Sequence, residues 1–390
     1  VGPSLLVNAA LVGALLFAAW LLARVAHWIG FPPSVMLVIL GIVAASLNPQ
    51  ASQFELTPTT LGIFLPALVF EAAWDIDAKA LRRVAPAIAV LAIPGVLLTA
   101  VCVAVAAVFG GGLAWPAALA LGAIVSATDP VAVLALFRKL DMPVDLFTIV
   151  AGESIANDGV AAVLVGVLVP LARGVAAPSF FGAAGAMLYV ALGGIAIGIV
   201  FALVVTPRLR RERHDWERIA TTFLVAYGSY AAAALLGFSG IFASAAAGVA
   251  LPALALAKRD AAVVEQFWDG TAELTNGLVF LLVGLNLRVD RIAHEPGLVL
   301  AVLAATVVSR AFLAYGLIPL ASAAGSRSRG AIALAGVRGG LSLALALGLP
   351  GDIVGRPLII DAVFAVVFVT LVVQGSTIAP LLRRLRPTSA

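Results

Sequence analysis

The chain has 390 residues, of which 63% are hydrophobic and 11% charged, where soluble domains carry about 25% charged residues. That excludes a soluble globular domain and indicates an all-α polytopic membrane protein. A net charge of +4, with basic residues spread over short loops, does not describe a nucleic-acid surface. The single cysteine, Cys102, excludes an internal disulfide, and His27, His214 and His294 are too scattered to have metal-ligand spacing.

A membrane-crossing helix needs about 20 apolar residues. Apolar runs of that kind predict about 13 transmembrane helices, near 4–23, 33–48, 58–74, 84–109, 114–137, 145–171, 180–206, 217–236, 239–257, 270–287, 297–320, 328–349 and 358–382. With these spans, 18 of the 24 Lys and Arg residues fall on one side, four on the other, and Arg310 and Arg338 within spans. The positive-inside rule makes the first side cytoplasmic. An odd number of spans then puts the N-terminus outside and the C-terminus in the cytoplasm of a cell-membrane protein. Asp75, Asp77, Asp352 and Asp361 fall at span ends and are expected to be interfacial.

The third span carries one acidic residue, Glu71, near its cytoplasmic end. Snorkelling to the interface is one reading of Glu71. The fifth span contains Thr128-Asp129-Pro130. Proline in a helix interior removes a hydrogen bond and clashes with the preceding turn, while Asp is a good N-cap. Two half-helices are therefore expected, with irregular backbone at a depth where it must be buried or line a cavity. Asp129 either ligates an ion or only caps the second half-helix.

The sixth span reads GESIANDGV. Ser154 and Asp158 are four residues apart, hence on one helical face, and Glu153 and Asn157 form a second such pair. Ionisable groups at membrane depth mark substrate and proton sites, and hard cations take oxygen ligands. Asp158, Ser154, Thr128 and Asp129 are thus the candidate ligands for a monovalent cation. A free Asp releases its proton near pH 3.9, and burial of a carboxyl raises that value, so one carboxylate serves either a cation or a proton.

The twelfth span has a second interruption, Gly336-Val337-Arg338-Gly339-Gly340. Interrupted segments at corresponding places in two halves point to inverted repeats around a central site. The repeats are expected near 1–175 and 214–390, with a linking helix near 176–213. Glu153 and Arg338, opposite in charge and both at mid-membrane depth, are expected to pair. Arg310, in the eleventh span, has two candidate settings: opposite Asp129, or at the C-termini of the broken helices.

LPALVFEAAWDID, SATDPVAVLALFRKL, GESIANDGVA and GVRGGLSLALAL resemble the motifs of the cation/proton antiporters, branch one. That family includes bacterial NhaP-type and animal sodium/proton exchangers. The resemblance implies crossed broken helices in a core domain (helices near 84–171 and 297–382), with the remaining helices forming a dimerisation scaffold, and hence a homodimer. It implies electroneutral, one-for-one exchange of Na+ or Li+ for H+, with no cofactor and no enzymatic reaction. It assigns Asp158 as the cation- and proton-binding carboxylate and Asn157 as the mark of the electroneutral branch. Thr128, Asp129 and Ser154 become ion-site residues, Glu71 a carboxylate on the cytoplasmic path, and Glu153 with Arg338 a core ion pair. Gly340-Leu341 departs from the Ala-Val commoner after Arg-Gly. A K+/H+ antiporter would use the same scaffold, and a sodium-coupled solute symporter would need a larger polar cavity.

Overall fold

The computed structural model describes residues 33–47, 58–175, 179–212, 214–255, 258–287, 295–322 and 325–385, with 17–18, 21–22 and 24–25 from the first expected span. The span expected at 4–23 therefore lies almost wholly outside the described residues. Among the described residues the chain is helical, with no strand.

Every later expected span has its helix. The second and third are α1 (Pro33–Leu47) and α2 (Pro58–Trp74). The fourth is divided into α3 (Ala78–Ala92) and α4 (Pro94–Gly111), because Pro94 has no N–H to continue the ladder. Asp77 starts α3 by accepting from the Ala80 N–H at 2.6 Å. The fifth is the half-helix pair α5 (Trp115–Ser126) and α6 (Val131–Lys139). Then come α7 (Val144–Ala172), α8 (Phe180–Leu209), α9 (Asp215–Leu235) and α10 (Gly240–Ala255). The narrow separation of α9 and α10 is a real turn, made by Gly237 at φ 77°, a conformation that favours glycine.

The tenth span differs from its expected limits. Helix α11 runs Lys258–Asn286, starting well before residue 270. Its first turns, KRDAAVVEQFWDG, are too polar for a hydropathy window. They are helical because Val264 and Trp268, four residues apart, bury one face completely. Next, α12 (Pro296–Phe312) passes through a π-turn at Leu313–Leu317 into α13 (Ile318–Ala321). The twelfth span is again divided, into α14 (Ser326–Leu334) and α15 (Gly340–Leu347), and α16 (Arg356–Leu385) closes the fold.

Two large apolar clusters, with a small third one where Leu281 and Leu285 meet α1, hold these helices together. The larger joins α3–α7 to α12–α16 through residues such as Leu121, Val133, Val150, Val302, Ile332, Leu343 and Val363, and reaches α1, α2 and α11 at its edge. The smaller is built by α2, α8, α9, α10 and α11 around Phe70 and Trp268, whose rings lie 4.8 Å apart. Trp268 Nε1 donates to Thr222 Oγ1 at 3.1 Å, so its one polar atom is satisfied on burial. Where α1 crosses α11, Gly41 and Gly284 bring the backbones together. A Cβ at Gly41 would lie 2.7 Å from the Gly284 Cα, the close approach that small residues permit between membrane helices. Phe109, Phe181 and Leu235, by contrast, are more than four-fifths exposed, as expected of side chains that meet lipid.

Candidate functional site

The two interrupted spans cross, and each supplies what the other lacks. A helix end leaves its last carbonyls without intrahelical partners, which is costly away from water. At the end of α5, Ser342 Oγ donates to the Ile124 carbonyl at 2.9 Å. Arg338 donates through Nη1 to the carbonyls of Ser126 at 3.2 Å and Ala127 at 3.5 Å. In return the Asp129 N–H donates to the Val337 carbonyl at 2.8 Å. Asp129 Oδ1 accepts from the Val131 N–H at 3.1 Å, so it serves the start of α6, while Pro130 occupies the cap position itself. Gly339 makes the crossing possible. A Cβ there would run into the Cβ and carboxylate of Asp129.

Helix α7 passes this crossing and presents Ser154, Asn157 and Asp158 to it. Ser154 Oγ donates to the Thr128 carbonyl at 2.6 Å. Asn157 Nδ2 donates to Thr128 Oγ1 at 2.8 Å. Asp158 Oδ1 is buried and has no hydrogen-bond partner among the described residues. It lines a cavity of about 60 Å³ together with Thr128, Asp129 and Ser154 on one side and residues of α2 and α11 on the other. The four candidate cation ligands are thus brought together. The Thr128 carbonyl already accepts from Ser154, but a carbonyl has two lone pairs and retains one.

The expected ion pair between Glu153 and Arg338 is replaced by another. Glu153, 2% exposed, is paired with Arg310, 6% exposed. The fork is bidentate: Nη1 donates to Oε1, and Nη2 to Oε2 at 2.9 Å. The reason is geometric. Arg338 is committed to the C-terminal carbonyls of α5. Arg310 lies on α12 beside the end of α14, where it also donates to the Ile332 carbonyl at 2.8 and 3.1 Å. Each broken helix therefore has an arginine at the C-terminal end of its first half, where a cation suits the helix dipole. Of the two settings open to Arg310, its bonds select the helix C-terminus, with Glu153 as its carboxylate.

Glu71 does not line the cavity. Its carboxylate oxygen lies within 4.8 Å of those of Asp75 and Asp269, and Arg138, at the end of α6, reaches all three. Arg138 bonds Asp75 closely and lies 3.8 Å from Glu71 and 3.6 Å from Asp269. Asp75, expected at the interface, is thus part of a buried-edge charge cluster, and Asp269, Ser342 and Asn276 carry no sequence motif that marks them as site residues. The signal available for Asn276 was an amide within the otherwise apolar run GLVFLLVGL and its approach. On the opposite side, Arg173 donates to Asp352 at 2.8 Å, and this bond holds the Asp352 carboxyl below its usual pKa.

The family model described as "Sodium/hydrogen exchanger, transmembrane" matches residues 12–384. The chain is 34% identical over 367 residues to the Na(+)/H(+) antiporter ApNhaP of Aphanothece halophytica, covering 91% of this chain and 70% of that protein. It is 30% identical over 376 residues to the Na(+)/H(+) antiporter NhaH of Halobacillus dabanensis, covering 91% of this chain and 92% of that protein. Its fold is similar to that of the sodium proton antiporter MjNhaP1 from Methanocaldococcus jannaschii, with a TM-score of 0.77 and 19% identity over 98% of this chain and all of the other. The chain belongs to the sodium/hydrogen exchanger family of membrane transporters.

Proposed function

We propose that this chain exchanges Na+ or Li+ for H+ across the cell membrane, one for one, by competition at Asp158. The observation that carries the reading is the buried Asp158 Oδ1 with no partner among the described residues, in a cavity also lined by Thr128, Asp129 and Ser154. A bare carboxylate oxygen buried there is costly. A cation relieves the cost by coordination and a proton relieves it by neutralisation, so each excludes the other. Asn157 is an amide and adds no titrating charge, and with Asp129 keeping one charge state through the cycle a single proton leaves for each cation, which makes the exchange electroneutral. Asp129 acts both as a ligand, through the oxygen it keeps free of Val131, and as support for α6.

Alternating access is movement of a core domain, near 84–171 and 297–382, against the remaining helices, as in transporters built from inverted repeats. The separate apolar cluster around Phe70 and Trp268 supports treating that remainder as one scaffold, which also forms the homodimer contact. Glu71 stands on the cytoplasmic route to the cavity, held with Asp75 and Asp269 by Arg138. The N-terminus is outside and the C-terminus cytoplasmic.

Sodium as the cation rests on the names of the relatives at 30% identity and above. The purified chain in proteoliposomes, given a pH gradient and pulses of Na+, Li+ or K+, is expected to move protons with Na+ and Li+. Asp158→Asn, correctly folded, is expected to move none. Proton movement by that variant, or a response to K+ alone, contradicts the proposal.

A further inference from the structure

We propose that Asn276 positions the transported cation by holding one of its waters, so that the site takes the ion partly hydrated. This rests on the exchange reading above and assigns a residue outside the motifs that led to it. Asn276 lies on α11 and lines the same cavity as Asp129, Ser154 and Asp158. It is 7% exposed, and its Nδ2 has no hydrogen-bond partner among the described residues. A buried donor in that condition is unfavourable unless something in the cavity accepts from it. The rest of the wall contributed by α2 and α11 is apolar, formed by side chains such as Phe64, Leu65, Leu68 and Val279. The amide is therefore the polar feature of that wall.

Its chemistry restricts what it can hold. An N–H cannot ligate a cation. A water can accept from Nδ2, turn its other lone pair to the cation and donate an O–H to a carboxylate oxygen. Asp158 Oδ1 is an acceptor of that kind on the same cavity, and it too has no partner among the described residues. The cavity of about 60 Å³ has room for an ion and a water, since one water needs roughly 10–15 Å³ of such space. The core helices then supply the anionic oxygens, and α11 supplies the grip on the water that completes the shell.

The test compares native protein with Asn276→Leu and Asn276→Thr in proteoliposomes, measuring kcat and KM for Na+ and for Li+ over several pH values. Leucine is close in volume and removes the donor, so the melting temperature is expected to hold. Loss of one hydrogen bond to the ion's water is expected to raise KM for Na+ roughly tenfold with kcat and the pH slope of KM unchanged. The ratio of Na+ to Li+ KM is expected to shift, because the two ions hold water with different strength. Threonine, whose hydroxyl can hold a water, is expected to recover most of the native KM. If Asn276→Leu does not fold, Asn276→Ala, which also lacks the donor, is read in the same way. Values of KM for both cations within twofold of native overturn the inference and leave the exchange reading standing. So does a loss of kcat in step with melting temperature and no change in ion ratio. A native chain that exchanges neither cation overturns the exchange reading and this inference with it.

Discussion

Glu153 and Arg310 are nearly fully buried and joined by a two-bond fork. Breaking such a pair from one side leaves a bare charge in a low-dielectric setting and costs about 3–5 kcal/mol. Arg310→Ala is therefore expected to lower stability by about that amount, seen as a large drop in melting temperature in detergent. Glu153→Gln made in the same protein is expected to restore part of it, since the charge left behind is gone. An Arg310→Ala variant that melts like native protein contradicts the pairing. The sequence announced that Glu153, Arg310 and Arg338 are costly at their depth and so must be compensated. It did not announce which arginine meets Glu153, because that depends on where the ends of α5 and α14 fall relative to α7. The same limit applies to Asn276, an amide that becomes conspicuous only once it is seen on the cavity wall.

At the scale of elements, the two breaks were legible because Pro and Gly act locally. Thr128-Asp129-Pro130 and the run Gly336–Gly340 interrupt apolar spans, and the structure has helix ends at both. Their crossing was not readable from the spacing, since Asp129 and Val337 are far apart in the chain. The crossing gives Gly339 its role. Gly339→Ala is expected to abolish transport, because its Cβ would meet Asp129. Gly166, a glycine inside α7 with nothing within 4 Å of an added Cβ, is the control. Gly166→Ala is expected to keep full transport and gain up to about 1 kcal/mol of helix stability. Active Gly339→Ala protein contradicts the crossing. The early start of α11 was missed for a different reason. Its first turns are amphipathic and bury only the Val264 and Trp268 face, which a search for uniformly apolar runs does not register.

At the scale of the molecule, span order and charge bias together predict which end of each helix is cytoplasmic. Lys139 and Gly351 are both exposed, and the reading puts them on opposite sides. With Cys102 replaced by Ala, a cysteine at Gly351 is expected to react with an impermeant thiol reagent in intact cells. A cysteine at Lys139 is expected to react only after permeabilisation. Equal labelling of both in intact cells contradicts the topology. The spans from the second onward were readable because hydropathy is a sum over many residues, and such sums tolerate local errors. The placement of individual side chains has no such averaging. Exchange turns on one carboxylate that holds either a cation or a proton. The most direct test is the apparent KM for Na+ as a function of pH in proteoliposomes. Well below the pKa of the site, one proton must leave for one cation to enter, so KM is expected to rise about tenfold per unit fall in pH, at about 1.4 kcal/mol per unit. Above that pKa it is expected to flatten, with no current accompanying turnover. A KM that does not change with pH across the active range, or a current that scales with turnover, contradicts competition at Asp158.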